Sequence, residues 1–347
     1  MSNGPGGQRL EIKNLSSEDL AGKLAEMGLE TFRVPQILSW LYNKGVTGWE
    51  DMTNLSKSLR AELAERFTLG VLEPAQVQIS ADGTRKYLFR LPDGLKIESV
   101  LIPDGRRITL CVSSQVGCAL GCRFCYTGTM GFKRNLETWE IMEQILAVRR
   151  DRPAAQAPTN IVFMGMGEPL LNYDNVVNAA RMLALDVGLN FSSRHVTLST
   201  VGIPELLERL ADDSVPLSLA ISLNAAKDDL RSKIMPVNKK YPLEKVLEAL
   251  EKYPLLHRRR FTFEYVMLRG INDDELCARQ IANCVKRFPC KVNLISFNSF
   301  PGCDYEPSVK EVIERFQRWL REKNISAFIR KSRGLDIMAA CGQLAAR

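Results

Sequence analysis

Histidine is almost absent: His195 and His257 are the only two in 347 residues. Neither falls in the polar loops singled out below, which argues against imidazole acid–base catalysis. No uninterrupted apolar run is long enough to cross a bilayer, and the polar, glycine-rich start MSNGPGGQRL has no apolar signal-peptide core. A cytoplasmic chain is therefore expected, without a membrane partner. A second Cys-x-x-Cys pair is missing, which counts against structural zinc, whose sites commonly use two such pairs. Gly-x-Gly-x-x-Gly does not follow the first predicted main-domain strand, which counts against a dinucleotide-binding fold. Repeats and low-complexity tracts are absent as well.

What is there is enough for a full-sized core: 45% of residues are hydrophobic and 25% charged, in a chain long enough for a catalytic domain and an accessory one. The net charge is +7, an excess that favours a polyanionic partner although proteins that bind none also show it. The first seventy residues are nearly balanced. The excess gathers at Lys239-Lys240, at Arg258-Arg259-Arg260 and at Arg330-Lys331 with Arg333, and such patches grip phosphate better than diffuse charge does. Solvated loop ends are the alternative reading of each. Nine cysteines in a reducing compartment do not make a disulfide framework, so clustered ones point to metal or redox chemistry and scattered ones to packing.

Hydrophobic periodicity divides the chain. Residues about 15–67 predict short helices: Ser16 or Ser17 capping a run with Leu20, Leu24 and Met27, an apolar stripe from Val34 to Tyr42, and Asn54 or Ser56 capping a segment with Leu59, Leu63 and Phe67. From about 76 the period falls toward two, with turns at Asp82-Gly83 and Pro92-Asp93-Gly94, a β-meander. Strands near 107–113, 159–164, 195–199, 216–222, 260–267 and 290–296 then alternate with helical patterns. This predicts an α/β fold with six βα units, a partial (β/α)6 barrel. The expected domains are an N-terminal helical accessory domain at 1–70, a β extension at 71–105, the barrel at 106–330 and a C-terminal tail at 331–347.

The main chemical signal follows the first barrel strand, where Cys118, Cys122 and Cys125 share one tight loop in a Cys-x3-Cys-x2-Cys spacing with Phe124 before the last. Thiolates in such a loop suit an iron–sulfur cluster. Three ligands leave one iron open for the amine and carboxylate of S-adenosylmethionine (SAM), whose reductive cleavage gives a 5′-deoxyadenosyl radical. The spacing resembles the signature of the radical SAM superfamily, and the expected cofactors are one [4Fe-4S] cluster and SAM. Polar residues close four other strands, where barrel enzymes place cofactors. They are Gly165 to Pro169, with Gly167 letting backbone approach a ligand and Glu168 accepting from the SAM amine; Ser199-Thr200; Ser222-Leu223-Asn224; and Asn298. Helix caps and turns explain any one of these equally well, but less readily all four on one rim.

From about residue 10 to its end the sequence resembles the RlmN family, dual-specificity methyltransferases of 23S rRNA and tRNA acting on adenine C2. The resemblance rests on Met52 to Lys57, Ile97 to Val100, Val116 to Cys125, Met164 to Pro169 and Ala339-Ala340-Cys341-Gly342-Gln343-Leu344. The last stretch is the most diagnostic, since most radical SAM enzymes lack such a tail; without the resemblance Cys341 reads equally well as a small buried residue.

The resemblance implies that one SAM methylates Cys341 and a second supplies the radical, so two are consumed per turnover. The carbon radical formed on the S-methyl group adds to C2, tying the base covalently to Cys341. Release then needs loss of the C2 proton, for which Glu98 matches the family's acceptor, and attack on the Cys341 sulfur by another thiol, matched by Cys111. Taken alone, Glu98 reads as an ordinary solvent-facing strand residue. Also implied are 23S rRNA and tRNA as partners, a flavodoxin with its reductase or a ferredoxin as electron donor, and a monomer. Cys277, Cys284, Cys290 and Cys303 match no functional position and are expected to be structural. A Cfr-type adenine C8 methyltransferase shares the cluster and the terminal cysteine. A non-enzymatic iron–sulfur RNA-binding redox sensor would need neither Cys341 nor a SAM rim.

Overall fold

The computed structural model describes residues 9–256 and 258–346; His257 lies outside the described residues, as do the first eight. In chain order the strands are β1 (Leu10–Glu11), β2 (Phe67–Thr68), β3 (Pro74–Ile79), β4 (Arg85–Arg90), β5 (Lys96–Asp104), β6 (Arg107–Cys111), β7 (Gln115–Gly117), β8 (Phe132–Asn135), β9 (Asn160–Phe163), β10 (Val196–Thr200), β11 (Ser218–Ser222), β12 (Phe261–Met267), β13 (Cys290–Ser296) and β14 (Ala327–Arg330). Ten of them make one sheet in the order β14-β13-β12-β11-β10-β9-β6-β5-β4-β3. From β6 through β9 to β14 every neighbour is parallel, whereas β3 to β6 is an antiparallel meander. The β extension thus continues the barrel sheet. Its tight turns at Gly83 and Gly94 need the left-handed backbone that glycine supplies, with φ of 84° and 83°.

The six predicted βα strands are present, joined by a seventh parallel strand, β14, that the periodicity did not show. It has four residues, with Phe328 and Ile329 exposed, so neither alternation nor an apolar run marks it; pairing with β13 creates it. Beyond β14 the chain returns to the meander, where Arg333 pairs with Asp104 at 3.1 Å. That contact joins the two sides of the curled sheet.

Parallel strands are usually apolar on both faces; these are apolar on one. Leu198, Leu219, Ile221, Phe263, Tyr265, Val292 and Leu294 are buried on the side covered by the crossover helices. In register on the other side stand Ser199 with Ala220, Ala220 with Thr262, Ser222 with Glu264, and Glu264 with Asn293. That half-buried, polar inner face is what a lumen that receives a ligand requires.

In the N-terminal module Ser16 caps the helix Ser17–Glu26 through a capping box with Asp19, and Ser56 caps Lys57–Arg66. Asn54 instead accepts from the Trp40 indole. The helix Arg33–Leu38 runs on into a π-turn at Ser39–Lys44. Lys13 fastens the module to the barrel: fully buried, it donates to the Gly70 carbonyl at 2.7 Å and pairs with Glu143, which also binds Arg150 at 2.7 Å. Losing one member would leave a buried charge uncompensated, so the contact enforces one docking geometry.

Candidate active site

At the C-terminal end of β6 the chain makes a short hairpin, β7 with β8, and the cysteine loop grows from it. Gly117 has φ of 76° and lies so close to Gly131 that a Cβ would collide with that carbonyl. This close approach sets the loop base, where Cys118 N–H donates to Gly131 at 3.1 Å. Cys118, Cys122 and Cys125 are free and half-buried. Burial pushes the Cys118 thiol up to about 12 and the Cys122 thiol well above its ordinary value, with Cys125, Cys118 and Glu168 adding negative charge beside it. The Cys125 thiol is raised by burial as well. Three crowded thiols gain most from a cationic group that holds them as thiolates. Among the described residues no three His, Cys, Asp or Glu side chains converge on one point as ligands of a single ion would; a cubane offers each thiolate its own iron, so the triad fits the cluster.

The C-terminal segment is stitched to this loop. Tyr126 N–H donates to the Gly342 carbonyl at 2.7 Å, the Thr127 hydroxyl donates to Leu344 at 2.7 Å, and the Asn298 amide donates to the Cys341 carbonyl at 3.0 Å. Gln343 donates to Ser299 at 2.8 Å. Glu98, expected on residue grounds to face solvent, is 3% exposed: its carboxylate accepts from Ala345 and Ala346 N–H at 2.9 and 3.0 Å and pairs with Lys86 at 3.3 Å. Burial correlates with those partners, which a strand pattern cannot show.

Cys341 itself is exposed at the barrel mouth, yet enough protein surrounds its thiol to push it up to about 11, with Glu264 and Cys125 adding to the effect and Arg330 opposing it. Cys111 ends β6, buried, and its thiol is raised by burial and then by the charge of Cys341. Gly342, the next residue, packs against Phe124 and Cys125, so Cys341 sits beside the cysteine loop, and its charge reaches Cys111.

The remaining rim residues divide by how their side chains are used. Glu168 is buried, accepts from Leu170 N–H at 3.1 Å and Val201 N–H at 3.0 Å, and is raised by burial to about 7. Gly167 takes φ of 101° where a Cβ would strike Gln115. Ser199 and Ser222 are half-buried on the inner face. Leu223 is buried, and its N–H donates to Glu264 at 2.9 Å. Asn224 turns left-handed at φ 56° and its side-chain amide oxygen accepts from Val266 N–H at 2.9 Å, a strand-to-strand staple. Asn298 also accepts from Ser332 at 2.8 Å, so it orders the tail.

Two features escaped the sequence reading. Arg231 is fully buried and donates to the carbonyls of Leu223 at 3.1 Å, Val201 at 2.7 Å and Ser222 at 3.2 Å, and to Asn238 at 2.7 Å. Burial lowers it to about 10, and its charge faces Cys122. A charged helix residue after Asp228-Asp229 gave no signal of burial. Glu264, held by Asn293 at 2.9 Å, is the second; an acidic residue inside a barrel strand was the available clue. Cys277, Cys284, Cys290 and Cys303 are half-buried and free, and Cys303 donates to the Arg123 carbonyl.

Comparisons with known proteins agree with this geometry. Residues 112–278 match the model of the radical SAM superfamily, and residues 10–69 that of the ribosomal RNA large subunit methyltransferase N-terminal domain. The chain is 49% identical over 335 residues to the dual-specificity RNA methyltransferase RlmN of Geobacter sulfurreducens, covering 96% of this chain and 92% of that one. It is 48% identical to the protein of that name from Geotalea uraniireducens, covering 98% of each. A radical SAM methyltransferase crystal structure from Sphaerobacter thermophilus superposes with a TM-score of 0.91 at 43% identity, covering 97% of this chain and 100% of that one. With identity near one half along nearly its whole length, the chain belongs to the RlmN family of radical SAM RNA methyltransferases.

Proposed function

We propose that this enzyme methylates C2 of adenosine in both 23S rRNA and tRNA, with Cys341 as methyl carrier, Cys111 as the releasing thiol and Glu98 as proton acceptor. The observation that carries the reading is that the tail hydrogen bonds and the close packing of Gly342 on Phe124 and Cys125 hold Cys341 beside the cysteine loop, at the end of the barrel where Cys111 closes β6. Cys118, Cys122 and Cys125 would hold the [4Fe-4S] cluster, and Gly167, Glu168, Ser199, Ser222, Leu223, Asn224 and Asn298 would form the SAM rim. When bound, the two cofactors supply the methyl group and the one-electron chemistry that an electron-poor ring carbon needs.

The chain's own residues do the rest. The stitched tail holds Cys341 so that its sulfur carries the methyl carbon to the base without searching. Glu98 lines a cavity of about 300 Å³ with Lys86 and Tyr126. Lys86 and two tail N–H groups fix the carboxylate, so a proton leaving C2 has a positioned acceptor. Cys111, as thiolate, then attacks the Cys341 sulfur; the electron pair of the sulfur–methylene bond leaves with the methylene carbon, which takes up a proton to become the methyl group. The two cysteines are left joined as a disulfide, to be reduced by the electron donor before the next cycle.

The match of residues 10–69 to an rRNA methyltransferase N-terminal domain supports the ribosomal substrate, and the relatives' dual-specificity description supports the second RNA. We assign the electron donor to a flavodoxin with its reductase, or a ferredoxin, and the enzyme to the cytoplasm as a monomer. Among the described residues no helix is long and apolar enough to cross a membrane. Mass spectrometry of nuclease-digested 23S rRNA and tRNA from a deletion strain, with and without this gene restored, tests the reading. 2-Methyladenosine returning in both RNAs supports it; 8-methyladenosine, or neither product, overturns it.

A further inference from the structure

Parallel strands place all their first residues at one end, and in this barrel that end is opposite Cys341. β12 alone, with seven residues, separates the two ends by about 20 Å. The cavity at this N-terminal mouth holds about 980 Å³, the upper part of the range for small-ligand sites. Its walls are strand starts: Arg107 of β6, Arg194 just before β10, Arg259 and Arg260 just before β12, and Lys291 of β13, with Arg106 and Arg258 at the rim. No carboxylate lines it among the described residues.

Among the described residues none of these seven has an ion-pair partner within 4.0 Å, whereas Arg134, Arg209, Lys252, Arg287 and Arg333 elsewhere are paired. Arg259 reaches only hydroxyls, those of Ser218 at 3.1 Å and Ser193. Two carboxylates reach these cations from outside the cavity lining: Asp104, which is paired with Arg333 at 3.1 Å, and Glu264, which accepts from Asn293 at 2.9 Å and whose charge acts on Lys291 alone among them. Burial lowers Arg107 and Lys291, with neighbouring cations adding to it and Asp104 and Glu264 respectively opposing it, and Arg259 is lowered by burial and by Arg194. Converging cations that repel one another around a concave space are relieved by a multivalent anion, and guanidinium forks match phosphate oxygens in pairs.

We propose that the N-terminal mouth of the barrel is a second binding site, separate from the catalytic mouth, that takes the phosphate groups of a nucleotide-sized ligand. Its walls suit more than a bare anion. Tyr253 and Leu255 face the cavity beside Ser214, giving an apolar side for a ring and a hydroxyl donor for its sugar or phosphates. Such phosphates belong either to a free phosphorylated molecule or to a stretch of the substrate RNA reaching this end.

Calorimetric titration of inorganic pyrophosphate into the cluster-loaded enzyme at low salt tests the site. One saturable site is expected, weakened at least tenfold in Arg194→Gln/Arg260→Gln and more modestly in the rim pair Arg106→Gln/Arg258→Gln, with iron content and melting temperature unchanged in both. Repeating the titration on enzyme saturated with substrate RNA separates the sources: lost binding assigns the site to RNA phosphodiesters, retained binding to a free ligand. Absence of pyrophosphate binding, or equal affinity in parent and both variants, overturns the proposal.

Discussion

The two mouths of one barrel treat charge in opposite ways. At the C-terminal mouth the buried charged groups have fixed partners: Arg231 is spent on three carbonyls and Asn238, Glu168 on two N–H groups, Glu98 on the tail and Lys86. At the N-terminal mouth Arg107, Arg194, Arg260 and Lys291 stand together with no carboxylate lining the cavity among the described residues. Satisfied groups in a low-dielectric setting rigidify and position; unsatisfied like charges raise the energy of the empty state and lower it when an anion arrives. The first mouth is suited to holding groups still, the second to receiving an anion.

The hardest way to break this comparison is to remove a proposed cluster ligand. Cys118→Ala, Cys122→Ala or Cys125→Ala should each lose the iron of about one cubane, about four atoms per chain, and with it all SAM cleavage. Iron analysis after anaerobic reconstitution checks this, and zinc held by four protein ligands would sink the assignment.

Separating the two thiols sharpens it next. Cys341→Ala should abolish RNA methylation and form no linked intermediate while keeping its iron. Cys111→Ala should accumulate enzyme covalently joined to RNA, visible as an upward shift on a denaturing gel that ribonuclease removes. Normal turnover by Cys111→Ala would contradict the assigned roles.

Arg231→Met tests whether the catalytic mouth is as tightly satisfied as its contacts imply. It strands four buried acceptors, and a loss of about 3 kcal/mol or more is expected, read as a lower urea midpoint at unchanged slope. Gln343→Leu asks less: it removes two hydrogen bonds, the stitch to Ser299 and one from Ala340 N–H within the tail, together worth about 2 kcal/mol. Protease cleavage after residue 330 should rise and methylation fall while iron content holds. The smallest effect belongs to the other mouth. Arg194→Gln/Arg260→Gln breaks no ion pair, so stability should stay within about 0.5 kcal/mol of the parent. A drop comparable to that of Arg231→Met would erase the contrast.

The sequence by itself determined the elements and most of the chemistry. Period-two runs and capped amphipathic stretches depend on neighbours a few residues apart, so the helices at 17–26 and 57–66, the meander and six parallel strands were legible, as was a loop whose three thiols lie within eight residues. Tertiary structure decided what depends on distant partners. β14 exists because β13 offers it an edge. Arg231 is buried because carbonyls from two strand ends converge on it, although its local sequence reads as a solvent-facing helix. Glu98 is buried because the tail, some 247 positions away, lays two N–H groups against it. The basic mouth forms because parallel strands collect Arg107, Arg194, Arg260 and Lys291 at one end, whereas along the chain only Arg258-Arg259-Arg260 was visible as a patch. Local patterns fix conformation; convergence of remote side chains is a property of the closed sheet, and it fixes where charge and reactive sulfur meet.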